Sequence, residues 1–211
     1  MTVPRRVEAA SLLLSLDPPT WFVRHARAVA EVAAFLAARM ETAGIALDRR
    51  LVETAALLHD MDKVLPASDA ARALPHGEGS AAWLTRHGHP ELSRAVAGHP
   101  VTRLVDGDAY RRWAGFATRE ERIVAYADKR AGQRLESMED RFASWRRRYP
   151  ATTNDGRAIG WDDATWQRVR DRAARLELDV CRAAGIAPAE VRRLAWTGEA
   201  LRRAARNQRA A

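Results

Sequence analysis

Apolar residues recur at steps of three and four along almost the whole chain, and no segment sustains the period-two alternation of a half-buried strand. That pattern restricts the chain to architectures in which helices bury their stripes against other helices. The composition agrees: 43 alanines stand against 18 valines and isoleucines combined, a bias toward helix over strand. Turn and cap residues divide the 211 residues into candidate helices at 4–15, 20–43, 48–62, 78–87, 91–98, 118–148, 162–184 and 188–207. Asp48 caps the third, Thr118 with Glu121 forms a capping box for the long one, and Pro150 stops it. The stretch 151–160 reads as a linker. The expected fold is all-α: a helical bundle over residues 1–150 and a basic helical extension over residues 151–211.

Several function classes fall away. A lone cysteine, Cys181, excludes a disulfide framework and a multi-cysteine zinc site. The longest apolar run, Val32–Ala38, is far short of the ~18 residues of a membrane span, so no membrane partner is expected. Met1–Arg6 carries no signal-like apolar region, which makes a reducing cytoplasm the expected compartment. The net charge of +8 resides wholly in residues 141–211, with 16 basic and 8 acidic side chains. Such a surface attracts phosphates or nucleic acid, although a solvated helical face is the simpler reading. Only two of the 35 basic residues are lysines, Lys63 and Lys129.

The informative positions are ionisable residues on apolar stripes. His25 shares a face with Phe22, Val29, Val32, Leu36 and Met40, and is its one polar member. Asp128 interrupts a stripe of Val124, Ala131, Leu135, Met138 and Phe142, and His59 follows Leu51, Ala55 and Leu58, with Asp60 next. A carboxylate aimed at a core costs several kcal/mol unless it is paired or coordinates a metal. Two imidazoles and two carboxylates from three helices form a mixed N/O set suited to iron, manganese, zinc or magnesium rather than to a thiolate-seeking metal.

The order His25, then His59-Asp60 in Ala-Leu-Leu-His-Asp-Met-Asp-Lys, then Asp128 in Ala-Tyr-Ala-Asp-Lys, resembles the HD-domain superfamily of metal-dependent phosphohydrolases over about residues 20–148. The resemblance implies that His25, His59, Asp60 and Asp128 ligate one divalent metal. His76, in Leu-Pro-His-Gly-Glu-Gly, and His99, in Ala-Gly-His-Pro-Val, are similar to the YqeK-like, HDIG-type branch of dinucleoside tetraphosphate hydrolases. There, histidines in such positions help hold a second metal, and Asp60 would bridge the pair. Iron or manganese is implied first, with magnesium, zinc, nickel or cobalt open.

Metal-assisted hydrolysis needs a Lewis acid on a phosphoryl oxygen and an acidified water. The catalytic candidates are Asp60 and Lys63, the latter placed to neutralise a phosphate oxygen. Asp62 reads as an orienting partner for a ligand histidine. Lys63, Lys129 and Arg130 are the candidates for substrate binding, the last two because they directly follow Asp128. Trp145, Tyr149, Trp161 and Trp166 interleave with arginines, as in single-strand binding grooves, but read first as anchors of terminal helices. The expected activity is hydrolysis of a phosphate ester or anhydride in a nucleotide or related small substrate. Two alternatives stay open: an RNA-directed phosphodiesterase using the basic C-terminal region, and a non-catalytic nucleotide-binding regulatory module.

Overall fold

The long helix α2 (Thr20–Thr42) is the axis of the fold, and its sequence explains why. Phe22, Val29, Val32, Leu36 and Met40 are fully buried, and each such side chain contributes roughly 1.5–3 kcal/mol on leaving water. Small alanines between them (Ala26, Ala30, Ala33, Ala37) let neighbouring helices approach closely. The computed structural model describes residues 3–151 and 160–210. Around α2 it places α1 (Arg6–Leu14), α3 (Arg49–Leu58), α4 (Glu78–Arg86), α5 (Ser93–Ala97), α6 (Gly107–Phe116) and α7 (Arg119–Lys129). The helices α8 (Met138–Arg148), α9 (Asp163–Ala183) and α10 (Thr197–Ala210) follow. Both α3 and α7 pack on α2 and on each other, which brings the segments that carry His25, His59-Asp60 and Asp128 to one place. Among the described residues the fold is all-α; the one β-bridge joins Ala131 and Leu135. No described helix is long and apolar enough to cross a membrane.

The C-terminal helices share the bundle's core. Leu176, Val180, Val191, Trp196 and Ala200 belong to the same buried cluster as Phe22 and Leu36. Glu31 of α2, itself buried, receives the hydroxyl of Thr197 and the guanidinium of Arg193. A smaller cluster of Leu104, Phe142, Trp145, Trp166, Val169 and Ala173 ties α8 to α9 beside the main core.

Two expectations are corrected, and one helix was not expected. The helix expected over 118–148 is broken: α7 ends at Lys129, and α8 starts afresh behind Ser137, whose hydroxyl accepts from the Asp140 N–H at 3.0 Å. Between them Gly132 N–H turns to Arg134 O at 3.0 Å, and Glu136 N–H to Arg130 O at 2.8 Å. The cap at Ser137 competed with a continuous apolar stripe and prevailed. The helix expected over 188–207 is a 3-10 turn, Pro188–Glu190, then extended chain to α10. Finally, α6 escaped notice because none of its residues is buried, so it carries no full apolar stripe.

Candidate metal centre

Helix α3 stops at Leu58, and the chain passes through His59 and Asp60 into a 3-10 turn, Met61–Lys63. The two motif residues therefore sit where the helix unwinds, both almost wholly buried. His25 reaches them from α2, Asp128 from the last turn of α7, His76 from the residue before the left-handed Gly77 (φ 84°), and His99 from the residue after α5's terminal Gly98. At Gly77 a side chain would meet Pro100 at 2.8 Å, so only glycine lets His76 and His99 approach.

Each of the four histidines spends its Nδ1 on an acceptor that cannot donate. His25 Nδ1 donates to Gly132 O at 2.8 Å, His59 to Ala56 O at 2.8 Å, and His99 to Val96 O at 2.5 Å. His76 Nδ1 donates to the Asp62 carboxylate at 3.0 Å. The proton is thereby fixed on Nδ1, and every Nε2 presents a lone pair. These lone pairs converge: His25 and His59 Nε2 are 3.2 Å apart, and His76 and His99 Nε2 are 3.3 Å apart.

Asp60 lies between the two pairs. Its Oδ2 faces His25 Nε2 at 3.2 Å and His59 Nε2 at 3.5 Å, while its Oδ1 faces His76 and His99 Nε2, each at 3.3 Å. Asp128 Oδ1 closes the first set at 3.6 Å from His25 and 3.7 Å from His59. Asp60 Oδ1 is buried without a hydrogen-bond partner. Acceptors facing acceptors in a buried site repel one another unless a cation stands among them. The donor set fits a divalent metal held by N and O atoms. His25, His59, Asp60 Oδ2 and Asp128 lie on one side of the Asp60 carboxylate, and His76 and His99 face Asp60 Oδ1 on the other.

The electrostatics follow from the same packing. Burial opposes ionisation of Asp60 and Asp128. Positive charge beside them, first at His59 and then at Lys63 for Asp60 and Lys129 for Asp128, outweighs it and holds both well below the usual carboxylate range. A metal cation would play that part where the imidazoles are neutral. Burial pushes the His99 imidazole down to about 4, so its lone pair is free at neutral pH. For His25 the adjacent Asp60 and Asp128 overcome burial and raise the pKa. Asp62, the orienting partner expected from the sequence, accepts both His76 Nδ1–H and the Gly77 N–H, the latter at 2.7 Å.

The substrate-facing expectations divide. Lys63 Nζ donates to Asp60 Oδ2 at 2.7 Å from a half-exposed side chain at the rim. Lys129 and Arg130, expected at the same mouth, are placed elsewhere. Lys129 is 1% exposed, and its Nζ donates to His99 O at 2.8 Å and to Ala125 O at 3.0 Å. Burial pushes it down to about 8. Arg130 is buried against α9, donating to Tyr126 Oη at 2.6 Å and to Pro188 O at 3.0 Å. Their rotation of about 100° per residue around α7 carries both away from Asp128. The residue missed was Arg141, whose Nη2 lies 3.8 Å from Asp128 Oδ1. On one continuous helix thirteen residues would set it about 140° away from Asp128; the break before α8 brings it back.

The helical bundle thus gathers His25, His59 and His99 in its core, His76 at the opening, and two carboxylates of which Asp60 is shared, a donor set that could hold a divalent metal. The model of the HD domain family matches residues 22–132, more than half of the chain, and the protein belongs to that family. No curated protein and no solved structure matches it. The match contains every ligand candidate and ends at Gly132, before α8 begins.

Proposed function

We propose that the protein is a metal-dependent phosphohydrolase that cleaves a phosphate ester or anhydride of a small phosphorylated substrate, foremost a nucleotide. The observation that carries this reading is the convergence of lone pairs on the two oxygens of Asp60, where Lys63 at the rim donates to Oδ2 and Oδ1 has no donor among the described residues. His25, His59, Asp60 and Asp128 would hold one divalent ion, and His76, His99 and Asp60 a second, with iron or manganese suited to the donors. Such ions supply Lewis acidity to a phosphoryl oxygen and lower the pKa of water.

The chain's own residues do the rest. The Nδ1 hydrogen bonds lock each imidazole so that only Nε2 points inward. Lys63, with Asp60 and Asp128 holding its ammonium above the usual lysine range despite burial of its stem, presents a fixed positive charge at the opening. It draws in a phosphate oxygen and offsets charge that develops during bond cleavage. The buried walls exclude bulk water from all sides but that mouth, which strengthens each of these interactions.

The test is chromatographic product analysis on dinucleoside polyphosphates, nucleoside mono- and triphosphates and cyclic nucleotides, with iron or manganese, beside Asp60→Ala. Metal-dependent turnover that vanishes in the variant is the expected result. Silence across the panel, or turnover that survives Asp60→Ala, overturns the proposal.

A further inference from the structure

Outside the HD match, α8 and the start of α9 build a cleft directly over the metal centre. It encloses about 320 Å³ and is bounded by Lys63 and Asp128 on the metal side and by Arg141, Trp145, Trp161 and Trp166 on the other, with Tyr149 at its edge. Trp145 and Trp166 are the fixed part of this wall, 9% and 5% exposed in the smaller core. Trp166 Nε1 is buried and finds no acceptor among the described residues. Trp161 stands on Trp166, ring centroids 5.1 Å apart, and is itself only partly covered. Tyr149 is 48% exposed.

Arg141 joins the wall to the chemistry. Its guanidinium lies 4.5 Å over the Trp145 ring and 3.8 Å from a carboxylate oxygen of Asp128, with the side chain 11% exposed. An arginine stacked on one face and held at one edge is pre-oriented, so little side-chain freedom is lost when it binds an anion. Its one hydrogen bond among the described residues is a long one, from Nε to Asp128 O at 3.5 Å, and Nη2 is the group beside the Asp128 carboxylate, so Nη1 is the amino group with no partner among those residues.

We propose that this wall selects a single nucleoside phosphate: Trp161, with Tyr149 at the rim, stacks the aromatic base, and Arg141 takes an oxygen of the phosphate delivered to the metal centre. The proposal rests on the phosphohydrolase reading and names its substrate class. Aromatic surface accepts the π-face of any base, so the wall recognises that a base is present rather than which one. The enclosed volume lies at the small end of ligand sites and suits one nucleoside with its phosphate better than two. On this reading the chain differs from a dinucleoside polyphosphate hydrolase, with Trp161 and Tyr149 determining specificity and Arg141 holding the phosphate.

The experiment uses the full chain loaded with manganese and two ligands whose P–C bond resists hydrolysis: the phosphonate analogues of adenosine 5′-monophosphate and of ribose 5-phosphate. Binding is measured by calorimetry and by quenching of tryptophan fluorescence. The nucleoside analogue is expected to bind about tenfold to a hundredfold more tightly. Trp161→Ala should erase that preference and Trp161→Phe retain it, with circular dichroism confirming that both are folded. Arg141→Ala should weaken both analogues alike, by about tenfold. Equal affinity for the two analogues removes the wall and leaves the phosphohydrolase reading standing. Tighter binding of a dinucleoside tetraphosphate or of oligoadenylate than of the mononucleotide analogue overturns the single-nucleoside assignment. Failure of both analogues to bind overturns the proposal, and whether the phosphohydrolase reading falls with it is decided by the separate turnover panel.

Discussion

Helix α7 borders two buried polar clusters that differ in kind. On one side Tyr126, Arg130 and Glu177 form a closed network: Tyr126 Oη donates to Glu177 Oε1 at 2.7 Å and accepts from Arg130 Nη1 at 2.6 Å. Arg130 also donates from Nε to Glu136 O and from Nη1 to Pro188 O. The Tyr126 hydroxyl and Glu177 Oε1 each have a protein donor, so the network serves to fasten α9 to the bundle. On the other side Asp128, Asp60 and four imidazoles offer acceptors to one another, with Lys63 at the rim as a donor. Both clusters bury charge, which costs free energy unless it is compensated. One is a bolt and the other a socket, and only the count of donors against acceptors tells them apart.

The largest expected effect separates the socket's members. Asp60→Ala should remove metal from both subsites and lower kcat/KM by about a thousandfold, a loss of several kcal/mol of transition-state stabilisation. Asp128→Ala should deplete mainly the first subsite, so metal analysis that finds equal losses in the two variants would contradict the division described above. Next, manganese at about 100 times its dissociation constant should stabilise the fold by about 2.7 kcal/mol. In a chain of this length that corresponds to a rise in Tm of roughly 5–10 °C, reversed by a chelator and absent from Asp60→Ala.

On the bolt side, Tyr126→Phe should cost about 2 kcal/mol in denaturant unfolding, because Arg130 and Glu177 lose a buried partner, while bound metal is unchanged. The pH dependence has a definite sign. Burial, reinforced by the contacts to Cys181 and Glu177, pushes the Tyr126 hydroxyl well above the usual phenol range. The folded state therefore keeps a proton that the unfolded chain releases near pH 10, and stability falls as pH rises beyond about 10. That decline should flatten in Tyr126→Phe. The smallest effect is Asp62→Asn, which should weaken metal at the second subsite by about tenfold through loosened orientation of His76; no change would show that the Gly77 turn alone fixes the ring.

One side of the socket was legible in the sequence because its residues violate the stripes on which they lie, whereas His76 and His99 lie on no stripe and were reached only through the resemblance of their motifs. His25 among Phe22, Val29 and Val32, and Asp128 beside Val124, are anomalies that periodicity exposes. Residues whose role depends on a change of direction were not legible. Lys129 and Arg130 are adjacent to a ligand in sequence, yet the helix rotates them into the packing. Arg141 is distant in sequence, yet the interruption at residues 130–137 returns it to Asp128. That interruption was masked by Ala131, Leu135 and Met138, whose spacing continues the stripe, while the competing signal, Ser137 as a cap, rests on one hydroxyl. The same irregular segment leaves Gly132 O free for His25; a continuous helix would have engaged that carbonyl internally.

The carboxylate of Asp60, with one oxygen turned to each histidine pair, has a further consequence. The two oxygens belong to one rigid carboxylate plane, so neither half of the centre can be adjusted alone. A substitution that draws Oδ2 toward His25 and His59 swings Oδ1 away from His76 and His99. The two halves are geared together, and lineages that retune this centre must do so from the periphery, by moving the imidazoles around a fixed pivot.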